Sequence, residues 1–226
     1  MTEYGRDMAD IALYEAMRTT RAVRRLRPDP VPDDVLRRVI EAATYAPSGG
    51  NRQPWRIVAV RDAEKKRRLR DLYKTPWERY ARGQRRALAP LPVASRARGE
   101  RALRAADHLA EHLDAAPVIA VFCFNPEMLA ITDGSLGRPS VVGGASLYPA
   151  VQNLLLACRA EGLGCVLTTL LCMAEAEIAP LLELPEPWAT CAFVPIGYPV
   201  GAGHGPVARK PVEEMAFLDR WGARLF

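Results

Sequence analysis

The chain holds 226 residues, 49% hydrophobic and 25% charged, with 31 Lys and Arg against 26 Asp and Glu for a formal net charge of +5. That length and apolar content support a domain with a real core, and with no Ser/Gly linker, repeat or low-complexity tract one domain is the simpler organisation. No apolar run approaches the roughly 20 residues that cross a bilayer, residues 1–10 are polar with no apolar leader core, and the five cysteines are odd in number without a Cys-x-x-Cys, so buried free thiols in a reducing cytoplasm are expected.

Hydrophobic periodicity predicts helices over about residues 11–20 and 33–45, then an apolar strand over 55–61. A long charged helical region reaches residue 113. Beyond it come a strand at 118–124, a helix at 149–161, a strand at 164–168, a short helix at 174–182 and a strand at 190–196. Pro149 suits a first helical position, where its missing N–H costs nothing. From Ala150 to Cys158 the helix is apolar all round except for Gln152 and Asn153. Such a helix must be buried on every side, and in a chain this short a subunit interface is a natural place for it.

Two segments stand out as candidates for binding. Between the second helix and the first strand lies Ala46-Pro47-Ser48-Gly49-Gly50-Asn51-Arg52-Gln53-Pro54-Trp55. Its Pro and Gly let a backbone approach a ligand closely, and its Ser, Asn and Gln offer neutral donors and acceptors suited to a planar heteroaromatic ligand. Ordinary turn chemistry explains the same composition. Upstream, residues 18–27 carry five arginines in ten positions: Arg18, Arg21, Arg24, Arg25 and Arg27. Guanidinium forks bind phosphate bidentately, although a solvated basic helix end would look alike.

Charge is uneven. From Arg61 to Arg104 there are fifteen Lys or Arg against five Asp or Glu, a local net of +10. A solvated helical face is the plain explanation; nucleic acid is disfavoured, because no reader motif is present and aromatics are sparse beyond Tyr73, Trp77 and Tyr80. His108-Leu109-Ala110-Glu111-His112 matches the H-x-x-E-H zinc peptidase pattern, with both imidazoles on one helix face. A third ligand is needed, however, and the only other histidine, His204, sits in a Gly-rich loop. Ser48 has no G-x-S-x-G elbow, and Gly201-Ala202-Gly203-His204-Gly205 does not open a helix in the dinucleotide-binding manner. That loop reads as a flexible lead to Arg209.

Four segments, in order, resemble the FMN-dependent nitroreductase family: Thr20 to Pro32 with its Arg21-Ala22-Val23-Arg24-Arg25 core, Ala46 to Trp55, Ala150 to Ala157 continuing to Leu167-Thr168-Thr169, and Ile196-Gly197-Tyr198-Pro199 followed by Arg209-Lys210-Pro211. The likeness spans about residues 14–222 and weakens between 69 and 113. It implies an α+β layered fold, a mixed β-sheet flanked by helices, and an intertwined homodimer with flavin at the interface. By the same resemblance residues 62–113 form a basic helical lid or insertion whose charge favours an acidic electron donor.

The resemblance also implies roles. Arg21, Ala22 and Arg24 would contact the FMN phosphate and ring edge, with Arg209 closing on the phosphate from the C-terminal side. Arg24, or less well Arg25, would supply the cation that stabilises reduced flavin. Pro47, Ser48, Gly49, Asn51 and Gln53 would line the ring from the neighbouring subunit, and Leu167, Thr168 and Thr169 would place donors near N5. The isoalloxazine carries the redox work itself, so a ping-pong oxidoreductase is expected, passing hydride from NAD(P)H to an electron-poor nitroaromatic, quinone or activated enone. Two departures stand out: Thr20 and Ala22 occupy positions where the family often has Arg and Ser. The deiodinating branch is disfavoured, because Glu78-Arg79-Tyr80 lacks the Glu-x-x-x-Tyr spacing and no Lys lies between Lys74 and Lys210. Flavin storage without turnover is the alternative outside enzymology, and zinc hydrolysis at His108, Glu111 and His112 the alternative within it.

Overall fold

A computed structural model describes residues 11–226, so the expectation for the polar N-terminus falls outside the described residues. Two short helices come first, α1 (Leu13–Thr19) and α2 (Asp33–Thr44). Strand β1 (Trp55–Val60) leads into a helical hairpin of α3 (Ala63–Leu88) and α4 (Val93–Glu111). Then follow β2 (Val118–Phe124), α5 (Tyr148–Ala160), β3 (Gly164–Cys165), α6 (Glu175–Leu181) and β4 (Ala189–Gly197). Among the described residues no helix is long and apolar enough to cross a membrane.

The four strands form one sheet in the order β1-β2-β4-β3, and every neighbouring pair is antiparallel. The mixed character expected of the sheet is confined to one parallel bridge, Ala22 to Cys165, beside β3. Both faces are covered, which is why β2 and β4 read as unbroken apolar runs rather than alternating ones. Val118, Ala120 and Phe122 face one core with α2 and α5, joined by Val194 and Ile196 of β4. Ile119, Val121 and Phe193 face the other, where Leu69 and Tyr73 of α3, Leu109 of α4 and Ile178 of α6 pack. The alternation of pleated side chains divides one apolar run between two layers.

Helix α2 presents Leu36, Val39 and Ala43 to the first core and is tied to the end of α5 by Arg38, whose Nε and Nη2 each lie 2.9 Å from the Glu161 carboxylate. Helix α5 buries Ala150, Val151, Leu154 and Cys158, but Leu155 and Leu156 stay only half-buried. Its apolar circumference is therefore satisfied on one side within the chain. Helix α3 opens on Asp62, whose carboxylate accepts from the Lys65 amide as an N-cap. The hairpin is anchored at its base, with Tyr73, Trp77 and Ala81 of α3 buried against Ala106, Leu109 and Ala110 of α4. Its tip is tight as well: a Cβ on Gly99 would lie 2.3 Å from Leu88 Cδ2.

After α1 the arginine-bearing segment runs extended along the sheet edge. The Val23 amide donates to Cys165 O at 2.9 Å and the Arg27 amide to Tyr198 O at 2.8 Å. The close approach depends on Gly164, where a Cβ would lie 2.6 Å from Val23 Cγ1. Residues 205–207 return along the end of α1, with the Gly205 and Val207 amides donating to Thr19 and Arg18 carbonyls at 2.9 and 3.0 Å.

Candidate functional site

The extended segment, the β3 edge and the C-terminal return meet at a cleft of about 280 Å³ lined by Arg21, Ala22, Arg24, Gln152, Leu167 and Arg209. Adjoining it through Arg24 and Leu167 is a second cleft of about 240 Å³, walled by Tyr73, Trp77 and Tyr80 of α3 and floored by Thr168, Thr169 and Leu170. Seven of the sequence-derived site residues thus come together: Arg21, Ala22, Arg24, Leu167, Thr168, Thr169 and Arg209. Separate from both is a larger cleft, about 690 Å³ between the outer turns of α3 and α4, which shares no lining residue with them.

Arg24 sits where the two clefts join. Its guanidinium is half-buried, burial lowers its pKa from the ordinary arginine value, and among the described residues it makes no ion pair or hydrogen bond. A buried cation without a counter-charge is costly and calls for an anion. Arg21 is used differently: its Nε and Nη2 donate to Pro206 O at 3.2 and 2.7 Å, so it pins the C-terminal return that carries Arg209. His204 completes this clasp, accepting from the Arg21 amide at Nδ1 (3.4 Å) while its Nε2 donates to Leu163 O (2.8 Å). Burial holds the pKa of His204 below the usual histidine value. Among the described residues Arg209 itself donates only to the neighbouring Ala208 carbonyl.

Arg25 lies elsewhere. It lines a third cleft with His108 and His112, one that Arg24 also borders. Of the two cations offered for the ring edge, only Arg24 enters the front clefts.

The donors at residues 167–169 are redistributed as well. The Thr168 amide is committed to Phe193 O at 2.9 Å, and its hydroxyl donates to the Tyr73 hydroxyl at 3.2 Å. Burial raises the Tyr73 pKa, while the Thr168 bond and the Arg24 charge oppose that rise. The amides on either side, Leu167 and Thr169, donate to no other group among the described residues. They are the donors left for a ligand.

Residues Pro47, Ser48, Gly49, Asn51 and Gln53 line none of these clefts. Their loop is mostly exposed; within it the Gln53 amide donates to Ser48 Oγ at 2.9 Å, and the Gly49 amide ties it to Ser146 Oγ, just before α5, at 3.1 Å. Gly50, Asn51 and Gln53 all take left-handed backbone, with φ of 59°, 53° and 48°. Such a conformation in non-glycine residues is uncommon and marks a loop whose shape is held by its surroundings.

Some wall residues were not singled out by motif. Tyr73, Trp77 and Tyr80 read as a sparse aromatic stripe in a charged helix, yet their spacing of four and three is what puts them on one helical face. Gln152 was visible as a polar exception in an apolar helix. His108 and His112 do share a helix face, their rings stacked at 4.3 Å, but among the described residues no group of three His, Cys, Asp or Glu could hold a metal.

Residues 17–198 match the Nitroreductase family. The chain belongs to the nitroreductase family. It is 36% identical over 201 residues to an NADH dehydrogenase of Thermus thermophilus, covering 86% of this chain and 90% of the relative. A 5,6-dimethylbenzimidazole synthase of Rhodospirillum rubrum is 32% identical over 180 residues, covering 79% and 78%. Among solved structures, an NADPH:FMN oxidoreductase from Vibrio harveyi complexed with NAD+ superposes with a TM-score of 0.66 at 21% identity, covering 92% of this chain and 77% of that one. The fold of this nitroreductase-family chain is thus α+β and nitroreductase-like.

Proposed function

We propose that this chain is an FMN-dependent oxidoreductase that draws on reduced nicotinamide and acts as a homodimer. The observation that carries this reading is Arg24, a half-buried guanidinium without a counter-charge at the junction of two clefts. The residues present fit a flavin mononucleotide. Arg209, with Arg21 holding its loop, would take the phosphate, while Arg24 would meet the ring edge that gains negative charge. The free Leu167 and Thr169 amides would donate to the ring, and Gln152 offers a further neutral contact. Bound FMN would supply two-electron transfer from the nicotinamide to an electron-poor acceptor such as a nitroaromatic, quinone or activated enone.

The aromatic cleft of Tyr73, Trp77 and Tyr80 stands beside that position and suits a flat acceptor. Trp77 is fixed there by its Nε1 bond to Asp107 at 3.0 Å and by stacking on Tyr73 at 6.3 Å. Donor and acceptor would occupy it in turn, which is the ping-pong scheme. Because the hairpin base belongs to the core, any lid movement is assigned to the tip beyond Ala81. The five free thiols agree with a cytoplasmic setting.

Surface area supports the dimer. A compact monomer of 24.9 kDa exposes about 10,200 Å², whereas this chain exposes 14,095 Å². The excess is apolar in places, including Leu13 and Tyr14 of α1 and Trp221, which is 91% exposed. A second copy would cover the half-buried side of α5 and bring the Pro47–Gln53 loop, otherwise remote from the clefts, over the ring.

The deciding experiment is an anaerobic visible spectrum of the purified protein before and after NADPH. Yellow protein that bleaches supports the reading. Yellow protein that bleaches with neither NADPH nor NADH favours flavin storage or a different donor, and colourless protein that takes up no added FMN overturns it. Retention of flavin by Arg209→Ala at the wild-type level would remove Arg209 from the phosphate.

A further inference from the structure

The third cleft, of about 260 Å³, shares Arg24 with both front clefts. Its polar lining is Arg24, Arg25, His108 and His112, set among Leu26, Leu109, Ala116 and other apolar groups. No carboxylate lines it. Arg25, like Arg24, has neither an ion pair nor a side-chain hydrogen bond among the described residues. Two guanidiniums and two imidazoles therefore border one space that no carboxylate lines, with Arg25 and His112 on its exposed side and Glu111 4.0 Å from His112 at its margin. Cations gathered in this way suit a small anion.

The histidines are arranged to respond. His108 is in the last turn of α4, where the negative end of the helix dipole favours its imidazolium, and His112 follows as the C-cap residue. The His112 Nδ1 donates to His108 O at 2.9 Å, so its Nε2 is the atom left for a ligand. Opposing protonation are burial, the Arg25 charge and the stacked His112, which together depress His108. The other charges near the cleft are accounted for. On α4, Glu111 Oε2 is 4.0 Å from His112 Nδ1. After α4, Asp114 is held by Arg70 of α3 at 2.9 Å. Lys66 of α3 donates to Ala116 O at 2.7 Å and adds a further cation nearby. Val200, from the turn after β4, is uncharged.

We propose that this third cleft is a binding site for a small doubly charged oxyanion, a free phosphate or sulfate or the phosphate of a nucleotide, held by Arg24, Arg25, His108 and His112. Occupation draws a proton onto His108, so binding tightens as pH falls. Because Arg24 borders the front clefts too, the anion would report to them through one guanidinium. Arg25, His108 and His112 line neither front cleft, so three of the four polar residues are independent of the flavin role proposed for Arg24.

The test is a sodium sulfate titration of the full chain at constant ionic strength, followed by the NMR signals of the three histidine side chains. Sulfate stays doubly charged across pH 5.5 to about 8, so any pH dependence belongs to the protein. The expected result is a saturable shift of His108 and His112 with His204 unmoved, since His204 is engaged with Leu163 and Arg21. Affinity should fall at least tenfold over that pH range. Arg25→Gln should weaken binding at least tenfold, and His108→Gln should flatten the pH dependence while leaving a folded protein whose His112 and His204 signals report that. A shift that rises linearly, moves all three histidines alike, or survives Arg25→Gln unchanged overturns the site. Adenosine 2′,5′-bisphosphate as a second probe identifies the source: tighter binding than sulfate with the same two histidines shifted assigns a nucleotide phosphate, and weaker binding a free oxyanion.

Discussion

Replacing Arg24 with Met should change stability and flavin affinity in opposite directions. In the protein without ligand the guanidinium is half-buried with no partner among the described residues. Leaving a buried polar group unsatisfied costs about 1–3 kcal/mol, more for a charge. Partial exposure discounts this to about 1 kcal/mol, which Met recovers by filling the same space with apolar atoms. For a chain of this size ~1 kcal/mol corresponds to roughly 2–4 °C in Tm. A hydrogen bond to a charged group contributes about 1.5–3 kcal/mol, so losing it should weaken FMN binding by about 10- to 150-fold. Thermal unfolding of flavin-stripped protein and fluorescence titration with FMN measure the two effects separately. Lower stability of the stripped variant together with unchanged FMN affinity would refute the role given to Arg24.

Gly164→Ala should cost about 1–3 kcal/mol by overpacking, because the new Cβ meets Val23 Cγ1 at 2.6 Å and Leu26 Cδ2 at 3.0 Å; flavin retention should fall with it as the arginine segment is pushed off β3. Gly83→Ala, in the α3 interior with nothing within 4 Å of its new Cβ, should instead stabilise by about 0.5–1 kcal/mol, and urea unfolding separates the two. Arg38→Met should cost about 2–3 kcal/mol by stranding Glu161, whose side chain is only 7% exposed, and adding Glu161→Met should return most of that loss. Stability should also fall as pH drops below about 6.5. His204 is held below its unfolded pKa, so the unfolded chain binds the proton first and stability declines as pH falls towards the folded pKa, by up to ~1.4 kcal/mol per pH unit. His204→Gln should flatten that slope in denaturant titrations between pH 7 and 5; an unchanged slope would show that the clasp is not what keeps His204 neutral.

Periodicity located the elements well where packing demands were simple. The apolar runs at β2 and β4 and the i, i+3, i+7 stripe of α2 translate directly into two cores either side of a sheet. Strand β3 is shorter than expected because after Cys165 the chain leaves the ladder, rejoining β4 only at the Thr168 bridge to Phe193. That departure frees the Leu167 and Thr169 amides, a detail no side-chain pattern encodes. The arginine cluster was legible as a cluster, but its division was not. Which guanidinium faces the front clefts, which pins a carbonyl and which lines only the third cleft depends on one parallel bridge at Ala22. The charge of α3 likewise masked its aromatic face, because lysines and arginines dominate the composition of a helix whose buried side is only four residues long.

Tyr73 and Trp77 serve two masters with the same rings. Both are buried in the core beneath the hairpin, and both wall the cleft beside Arg24. A change at either that reshapes the cleft also opens a void in the core, at a cost of about 3–5 kcal/mol for an aromatic cut back to Ala. Tyr80, nearly half exposed, and the exposed Thr169 of the floor carry no such burden. If the cleft takes the acceptor as proposed, divergence is therefore channelled: drift is free at the rim of the wall and closed at its foot, so related chains should differ in appetite mainly one turn further along α3.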